Sequence, residues 1–478
     1  MMKGRNKVME QDTIAGIASG MGGGIGIIRI SGREALRIAG EVFCTKKYSE
    51  DIPKWKSLWD RNFFKKKKSH TIHYGFIMND DGSVLDEVMV LLMKSPKSYT
   101  CEDVVEIDSH GGPYLIQKIL KLLIHHGARL AEPGEFTKRA FLNGRIDLAQ
   151  AEAVMKLISS KNEFALDSAV KQLEGRVSKY IERIRQEILH NMGYIEAALD
   201  DPEHYDLSGF SDKLHGMLQE EIKCLQELLD HFENGRMKSE GINTVIVGKP
   251  NAGKSSLMNL LLDEERAIVT NIAGTTRDIL EETVQIGNIV LKLVDTAGIH
   301  DTDDFVEHLG VEKAMEYLGQ ADFIIYVVDA SVSLDQADDK IISLLSGKSG
   351  VILLNKSDLE SALNIESLKK KIDWDCISFS NRRGTGLEKL EKYITDSFLH
   401  GDISYNDQIY LTSVRHREAV EDAVESLEQV IETIHAGMPE DFFMVDLMDA
   451  YQKLGLINGD TASEDLVNKI FKEFCMGK

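Results

Sequence analysis

Residues 248–255 read GKPNAGKS, which matches the phosphate-binding pattern G-x-x-x-x-G-K-[ST]. In this pattern glycines let backbone N–H groups point at phosphate oxygens, and the N-terminus of the following helix favours negative charge. Lys254 adds a point charge, and the Ser255 hydroxyl is a ligand for Mg²⁺. A glycine turn without a ligand is the alternative interpretation. It is disfavoured because NTVIV before the loop predicts a buried strand and the residues after the loop predict an amphipathic helix.

Four more motifs follow in the order that a GTPase requires. GTTRD supplies Thr276 as a second hydroxyl ligand for Mg²⁺. DTAG supplies Asp295, which would hold the metal through water, and the Gly298 N–H, which would contact the γ-phosphate. In NKSD, the Asp358 carboxylate can accept both hydrogens on the N1 and N2 edge of guanine. Adenine would leave that carboxylate unpaired at a cost of about 1–3 kcal/mol, so the motif selects GTP over ATP. With the base-backing segment SFSN, the predicted GTP-binding residues are Asn251, Ala252, Gly253, Lys254, Ser255, Ser256, Thr270, Asn271, Ile272, Ala273, Gly274, Thr275, Thr276, Asp295, Thr296, Ala297, Gly298, Asn355, Lys356, Asp358, Ser380 and Asn381.

Hydrolysis needs a group that orients the attacking water. Many small GTPases carry glutamine directly after the D-x-x-G glycine, but this chain has Ile299, which cannot orient water. Arg277 is a weak candidate for an arginine finger, and a monovalent cation held by Asn251 and nearby carbonyls could replace one. The candidate water-orienting residues are the acidic side chains that follow the motif: Asp301, Asp303, Asp304 and Glu307.

The composition limits the classes of protein. The 478 residues predict about three domains, and 78 acidic against 56 basic residues argue against a protein that coats nucleic acid. The five cysteines have no metal-ligand spacing, and their odd number argues against a disulfide framework, so we expect a cytoplasmic protein. No apolar run is long enough to span a membrane, and the N-terminus lacks the apolar core of a signal peptide.

The segment before the nucleotide motifs alternates between strand and helix patterns. Two β-rich runs around the glycine cluster at 20–24 predict a hairpin, or a loop that another segment approaches closely. Ser31 is predicted to cap a helix over 33–43. We therefore expect residues 1–135 to form an α+β domain.

The remaining segments have a different pattern. Two stretches, one before and one after the nucleotide motifs, have apolar residues at helical spacing and few breakers. We predict one all-α domain in two pieces, 136–234 and 404–478, interrupted by an inserted α/β domain over 235–403. Contacts between residues 150–230 and 410–478 would support this arrangement.

Several segments outside the GTPase motifs are more specific. DTIA, GIIRISG, EDVVE, HGG and PGEFTKRAFLNGRIDL, together with the C-terminal FCMGK, resemble the MnmE (TrmE) family of tRNA modification GTPases over residues 12–478. The resemblance implies a folate-binding N-terminal domain that also dimerises, a discontinuous helical domain and an inserted Ras-like GTPase domain. It also implies a homodimer that acts with the FAD-dependent protein MnmG, in a heterotetramer or larger complex, on tRNA.

The same resemblance implies a reaction. The two proteins would add a carboxymethylaminomethyl or aminomethyl group to C5 of the wobble uridine of certain tRNAs. A reduced folate would supply the one-carbon unit as 5,10-methylenetetrahydrofolate, with a 5-formyl analogue as an alternative ligand. GTP hydrolysis in the family depends on K⁺ and on the two GTPase domains meeting across the dimer.

The resemblance also assigns residues by motif position. It assigns Mg²⁺ to Ser255 and Thr276, K⁺ to Asn251, Thr270, Ile272 and Thr275, water orientation to Glu307, and folate to Arg29, Glu106, Arg145 and Lys478. The chain departs from the family at four places: Arg145 replaces lysine, His300 stands where arginine is frequent, Asn381 replaces a common alanine, and the glycine stretch is one residue shorter and lacks prolines.

Cys475 has three interpretations. A prenylation box fits poorly, because the box would end in lysine and contain a glycine. A buried core cysteine is the plain structural interpretation. The resemblance supports a thiol near the folate pocket that assists the reaction as a second catalytic group beside Glu307, which requires an accessible, thiolate-prone side chain.

Two further features leave alternatives open. The lysines at 65–68 are either an RNA-contacting patch or a solvated loop, and their position in an apparent family insertion favours the loop. The whole chain could instead be a GTP-dependent ribosome-assembly or regulatory switch without modification chemistry. Such a switch would not require Arg29, Glu106, Arg145 and Cys475, and binding of a reduced folate distinguishes the two functions.

Overall fold

The computed structural model describes residues 12–20, 22–45, 60–262, 282–286, 289–293, 318–319, 321–398, 410–474 and 477. The chain divides into two units. Unit 1 comprises Met1–Met155 and Gln452–Lys478, and unit 2 comprises Lys156–Tyr451. Within the described ranges, no helix is both long enough and apolar enough to cross a membrane.

The described part of the chain alternates strands and helices in unit 1 and is largely helical around a second sheet in unit 2. The strands are β1 (Ile14–Ile17), β2 (Ile25–Ser31), β3 (Phe43–Cys44), β4 (Thr71–Met78), β5 (Val84–Met93), β6 (Val104–His110), β7 (Arg129–Leu130), β8 (Ile242–Val247), β9 (Glu282–Ile286), β10 (Ile289–Leu293), β11 (Phe323–Asp329), β12 (Gly350–Asn355) and β13 (Asp375–Ser378). The α-helices are α1 (Ala35–Val42), α2 (Pro113–His125), α3 (Glu135–Leu142), α4 (Leu148–Ser159), α5 (Glu163–Leu173), α6 (Arg176–Asp200), α7 (Phe210–Asp230), α8 (Phe232–Glu240), α9 (Lys254–Leu261), α10 (Gln336–Leu345), α11 (Ile365–Lys371), α12 (Leu387–Phe398), α13 (Val414–His435), α14 (Phe443–Asn458) and α15 (Glu464–Lys472).

Unit 1 is built on a seven-stranded sheet with the order β3-β4-β5-β6-β2-β1-β7. Its neighbouring strands pair antiparallel, except for the parallel pair β1 and β7. Alternate residues of the central strands, such as Val88, Val90 and Ile107, form a core with α1 and α2 on one face. The opposite face, which we call the open face, carries exposed apolar side chains: Ile25, Ile72, Tyr74 and Met89.

The glycine-rich region agrees with the prediction of a closely approached loop. A Cβ on Gly111 would lie only 1.8 Å from the carbonyl oxygen of Gly23, so the backbones meet without room for a side chain. The prediction of a helix over 33–43 was wrong at the N-terminal end. The helix α1 begins at Ala35, and Ser31 does not cap it. β2 continues through Ser31, whose buried hydroxyl hydrogen-bonds instead with Thr100 and Glu102, at 2.7 Å each.

The C-terminal segment packs within unit 1. Phe471 and Phe474 form a buried cluster with Phe141 and neighbouring residues of α3 and α4. Beyond this cluster, Gly477 lies against the end of β1, where a Cβ would come within 1.8 Å of the Ile17 carbonyl oxygen. Gly477 is therefore brought to the β1–β2 part of the sheet.

Helices from both sides of the nucleotide motifs meet in unit 2. α13 packs against α7, and the Arg185 guanidinium of α6 lies 4.3 Å from the ring centroid of Tyr451 in α14. These contacts join residues 150–230 with residues 410–478, which one helical domain in two pieces requires. The exact boundaries, 136–234 and 404–478, remain a prediction.

The second sheet has six strands in the order β13-β12-β11-β8-β10-β9. Its strands are parallel, except that β9 runs antiparallel to β10. Apolar clusters cover both faces, as expected for the continuous apolar runs of these strands. The predicted inserted α/β fold is therefore confirmed, and its loops follow the carboxyl ends of the parallel strands, where such sheets bind ligands.

Candidate functional site

The phosphate loop connects β8 to α9, as predicted. Gly253 has a φ of 103°, and a Cβ there would lie 2.1 Å from Asn355 Nδ2, so both the backbone and the space require glycine. Lys254 Nζ donates to the carbonyl oxygens of Gly248 and Lys249 at 2.8 Å each. The lysine charge is thus folded back over the loop, at the end of a helix that favours anions.

The first residues of α9 supply the hydroxyl for a metal. Ser255 and Ser256 are exposed at the N-terminus of this helix. A hydroxyl beside a phosphate loop fits Mg²⁺, which prefers oxygen ligands and bridges to substrate phosphates. Ser255 therefore fits its predicted role, while Thr276 and Asp295 lie outside the described residues.

Two amide side chains of the base-binding motifs hydrogen-bond with the phosphate loop. Asn355 Nδ2 donates to the Ala252 carbonyl oxygen at 2.7 Å, and Asn381 Nδ2 donates to the Gly253 carbonyl oxygen at 2.8 Å. The Asn381 backbone N–H in turn donates to Asn355 Oδ1 at 3.1 Å. The structure therefore brings NKSD and SFSN to the same loop, and Asn381 adds a contact that the common family alanine could not make.

Asp358 has the arrangement needed to read a base. Its carboxylate is half-buried and accepts a hydrogen bond from Ser380 Oγ at 2.7 Å. This hydrogen bond lowers the pKa of Asp358 below its ordinary value. The side chain is thus held ionised and oriented, with its second oxygen available to a ligand.

Two lysines of the site are held by ion pairs that the sequence did not reveal. Lys356 Nζ lies 2.5 Å from Asp329 Oδ2 at the end of β11. Lys249 Nζ lies 2.7 Å from the buried Asp338 and 2.9 Å from Asp335, at the start of α10. Burial opposes the charge of Lys249, but the hydrogen bonds to Asp338 and Asp335 outweigh burial and raise its pKa. The pairs Lys356–Asp329 and Lys249–Asp335 are 27 and 86 residues apart in sequence, so no local pattern indicated them.

Other predicted residues of the nucleotide site cannot be placed. Of the K⁺ set, only Asn251 is described, and it has a φ of 59° in the turn of the loop. The residues that lie outside the described ranges are Thr270, Asn271, Ile272, Ala273, Gly274, Thr275, Thr276, Asp295, Thr296, Ala297, Gly298, Ile299 and Glu307.

A second cluster lies on the sheet of unit 1. Arg29 on β2 and Glu106 on β6 are opposite each other in register, and Arg29 Nε lies 2.6 Å from Glu106 Oε1. The Tyr99 ring lies between two guanidinium groups, 5.1 Å from Arg29 and 4.7 Å from Arg145. Arg145 also donates to the Tyr99 carbonyl oxygen at 3.0 Å. Three of the four predicted folate residues are thus brought together around Tyr99, which the sequence reasoning missed.

The C-terminus reaches the same cluster. Arg29 Nη1 donates to the Gly477 carbonyl oxygen at 3.5 Å. Cys475 and Lys478, on either side of Gly477, lie outside the described residues. The only signal for this proximity was the resemblance of the terminal FCMGK segment.

The cluster also contains a carboxyl group without a partner. Asp108 lies two residues along β6 from Glu106, and its buried Oδ1 has no hydrogen-bond partner among the described residues. Burial and the neighbouring Glu106 charge raise the pKa of Asp108. A pterin ring presents N–H donors, so the acceptors on Glu106 and Asp108 fit that edge, while the two arginines fit carboxylates.

Comparison with known proteins gives matches over nearly the whole chain. The family model described as the MnmE helical domain matches residues 148–475, and the one described as the GTP-binding protein TrmE N-terminus matches residues 13–145. The relative "tRNA modification GTPase MnmE" of Lachnoclostridium phytofermentans is 51% identical over 471 residues, which are 98% of this chain and 100% of the relative. Proteins of the same name from Acetivibrio thermocellus and Listeria welshimeri are 46% and 43% identical, again over 98% of this chain and 100% of each relative.

These matches agree with the structure. The two matched ranges meet between α3 and α4. The six-stranded nucleotide sheet lies within residues 148–475, which the MnmE helical domain model matches. More than half of the chain matches one family model, and several relatives align end to end at over 40% identity. The chain therefore belongs to the MnmE (TrmE) family.

Proposed function

We propose that this protein is a K⁺-dependent GTPase that takes part in tRNA modification. With an FAD-dependent MnmG partner, it would add a carboxymethylaminomethyl or aminomethyl group to C5 of the wobble uridine of certain tRNAs. The observation that carries this proposal is the 51% identity, over 98% of the chain, to a relative named tRNA modification GTPase MnmE. The two clusters of site residues support it, because one suits a nucleotide and the other suits a folate.

In the nucleotide site, Lys254 and the N–H groups at the start of α9 would bind the phosphates, and Asp358 would bind guanine. Ser255 and Thr276 would hold Mg²⁺, which neutralises phosphate charge when bound. Asn251, Thr270, Ile272 and Thr275 would hold K⁺, and Glu307 would orient the attacking water. The remaining GTP contacts are those of the five motifs given above.

In the unit 1 cluster, Glu106 would accept hydrogen bonds from the pterin of a reduced folate, and Arg29 would orient Glu106 through their ion pair. Arg145 and Lys478 would bind the folate carboxylates. The folate would supply the one-carbon unit, as 5,10-methylenetetrahydrofolate in the reaction. We also propose that the Cys475 thiol assists the reaction, since Gly477 lies beside Arg29.

The assembly and location are proposals from the family. The protein would act in the cytoplasm as a homodimer and would form a heterotetramer or larger complex with MnmG. GTP hydrolysis would drive the paired nucleotide domains between two arrangements, and the helical domain would relay this change to the modification site. The alternative function is a GTP-dependent switch without modification chemistry.

Binding of a reduced folate tests the proposal. By isothermal titration calorimetry we expect the full-length protein to bind 5-formyltetrahydrofolate, and Glu106→Gln to weaken binding about tenfold or more, because a charge-assisted hydrogen bond becomes a neutral one. Glu34→Gln is the matched control. Glu34 pairs with Arg37 at the same 2.6 Å distance on α1, away from the cluster.

The outcomes separate the two functions. Tight binding by the wild type and the control, with loss in Glu106→Gln, supports the modification enzyme. If GTP is hydrolysed but the wild type does not bind the folate, the switch function is favoured. Equal affinities for wild type and Glu106→Gln would show that the folate binds elsewhere.

A further inference from the structure

Unit 1 carries a cluster of basic residues that neither site uses. Residues 60–70 and 94–97 together contain seven lysines and arginines and one acidic residue, Asp60. The two segments lie together, because Lys94 Nζ donates to the Lys65 carbonyl oxygen at 2.9 Å and the Lys94 N–H donates to Ser69 Oγ. We call this the basic cluster: Arg61, Lys65, Lys66, Lys67, Lys68, Lys94 and Lys97.

The basic cluster is anchored to the fold. Phe64 is fully buried, and its 3₁₀ turn, Phe64–Lys66, packs against α1. Phe63 and Phe64 both contact the His73 ring edge-on, and Lys67 Nζ lies 4.5 Å from the Phe63 ring centroid. The backbone that presents the lysines is therefore held in place, which reduces the entropy cost of binding a partner through them.

Several of these charges are not neutralised by the protein. Lys66 pairs with Asp60 at 2.7 Å. Lys65, Lys68 and Lys97 are exposed, and none of them pairs with a carboxylate in the part of the chain that the structure describes. In a protein with a net charge of −22, a local excess of unpaired cations attracts a polyanion that the rest of the charge repels.

We propose that the basic cluster binds the phosphate backbone of the RNA substrate. This inference rests on the proposed function, because it assigns a contact surface for tRNA. Three features favour RNA. Lysines on separate segments match the repeated charges of a phosphate backbone. Lysine side chains act as point charges, which suits contacts with phosphates rather than with base edges. Finally, neither segment exposes a large apolar side chain for insertion into a lipid surface.

The structure also explains why the sequence favoured a solvated loop. Four consecutive lysines are common on surfaces, and Lys94 and Lys97 lie some 30 residues away. Only the fold shows that these two lysines extend the cluster and that Phe63 and Phe64 anchor it.

Fluorescence anisotropy with a labelled tRNA transcript that has uridine at the wobble position tests the inference. The triple variant Lys65→Gln, Lys68→Gln, Lys97→Gln removes three unpaired charges and leaves the anchoring residues unchanged. We expect its Kd for tRNA to rise about tenfold or more near 0.1 M KCl, and the slope of log Kd against log[KCl] to become shallower by about 2–3.

The chain offers a matched control of equal charge change. Lys369, Lys370 and Lys392 are exposed lysines of unit 2, two of them in a run of three. We expect the triple glutamine variant of these residues to bind tRNA within about twofold of wild type. GTP hydrolysis without tRNA should be unchanged in both triple variants, which shows that they fold.

Each outcome decides the inference. An unchanged Kd and salt slope in the Lys65, Lys68, Lys97 variant overturns it while leaving the proposed function intact. If the wild type binds no tRNA under any salt condition, the proposed function fails together with the inference. If the same variant loses binding to phosphatidylserine vesicles or to polyglutamate but not to tRNA, the cluster serves a membrane or an acidic protein instead, and the RNA proposal is wrong.

Discussion

At the residue scale, the half-buried Asp358 carboxylate lies at the carboxyl end of the second sheet, and one of its oxygens accepts a hydrogen bond from Ser380. An Asp358→Asn side chain would present an amide N–H where guanine has its own N–H donors. Xanthine has an oxygen at C2 in place of the amine and would accept that hydrogen bond. We expect the affinity for GTP to fall about tenfold or more and the affinity for xanthosine triphosphate to rise, measured by competition against a fluorescent nucleotide.

Ser380→Ala is the control for this substitution. It removes the hydrogen bond that orients Asp358 but keeps the carboxylate, so we expect a weaker GTP affinity with the same order of nucleotide preference. If Asp358→Asn kept its preference for GTP over xanthosine triphosphate, Asp358 would not be the residue that reads the base.

The sequence revealed those site residues whose role depends on neighbours in sequence, and missed those whose role depends on contacts with distant segments. Lys254 and Asp358 were predictable because a short motif fixes both their type and their neighbours. Tyr99 was not, because its role comes from two guanidinium groups that a distant strand and a distant helix end place on its ring. The Asn381 contact with Gly253 was missed for the same reason, although the replacement of a common alanine marked the position.

At the element scale, the turn between β8 and α9 depends on the absence of a side chain at Gly253. In Gly253→Ala the methyl group would come within 2.1 Å of Asn355 Nδ2 and 2.6 Å of Asn381 Nδ2, at a φ of 103°. The two amides would have to release the loop carbonyls. We expect GTP affinity to fall by about two orders of magnitude or more, since two or three hydrogen bonds of about 1 kcal/mol each are lost along with the loop geometry.

Gly347→Ala separates backbone strain from this steric effect. Gly347 lies in the same unit with a φ of 77°, but a Cβ there would meet nothing within 4 Å. We expect it to cost about 1 kcal/mol of stability with nucleotide affinity unchanged. Similar affinities in the two alanine variants would mean that the phosphate loop does not need glycine for space.

The elements themselves were mostly predictable. Apolar periodicity predicted the longer strands, such as β8, and the long helices, because burial on one face or both faces imposes the period. The short strands β3, β7, β9 and β13 were not predicted. The start of α1 was not predicted, because Ser31 suits a helix cap as well as it suits the end of a buried strand, and only the contacts with Thr100 and Glu102 decide between them. The ion pairs of Lys249 with α10 likewise depend on tertiary contacts.

At the scale of the whole molecule, unit 1 contains a buried ionic cluster that predicts sensitivity to acid. The Arg139 guanidinium is 5% exposed and lies 2.7 Å from Asp12 and 2.9 Å from Glu135. Burial opposes ionisation of these two carboxyl groups, but hydrogen bonds from Arg129 and Arg139 outweigh burial and lower the pKa of both. A carboxyl group whose pKa is lowered by folding stabilises the folded state at pH values above its ordinary pKa. This stabilisation is lost as the pH falls through the lower pKa of the folded state.

We therefore expect the unfolding transition of unit 1 to move to lower temperature as the pH falls below about 4.5, measured by differential scanning calorimetry. Arg139→Met should destabilise unit 1 by about 3–5 kcal/mol at pH 7, because buried Glu135 and half-buried Asp12 each lose one of their two arginine partners. The loss should be smaller at pH 4, where the carboxylates can be protonated. Arg183→Met, which removes the partner of buried Glu221 in unit 2, is the control and should shift a different transition. An equal loss at both pH values would contradict this account.

The open face of the seven-stranded sheet carries a prediction for the assembly. Ile72, Tyr74 and Met89 are 65%, 60% and 47% exposed and lie on the adjacent strands β4 and β5. Ile25, 61% exposed, lies on β2 on the same face, with β6 between β2 and β5. Contiguous apolar side chains of this size on a sheet face are typical of protein interfaces. We propose that a second copy of the chain covers this face in the homodimer, which buries the apolar side chains of both protomers.

The pair of substitutions Ile72→Glu and Met89→Glu would bring four carboxylates into the symmetric interface, since each protomer contributes the same patch. Leaving such charges unpaired costs about 3 kcal/mol or more in total, so we expect the dimer dissociation constant to rise at least about a hundredfold. The control Ile124→Glu adds one carboxylate on α2, which covers the other face of the same sheet. We expect the sedimenting mass of this control to equal that of the wild type. Sedimentation velocity measures all three proteins. Because the register places Arg29 and Glu106 on the same face of the sheet as Ile72 and Met89, a monomeric variant that still binds the folate would show that one protomer completes the folate site. A variant that remains dimeric would place the dimer interface on another surface.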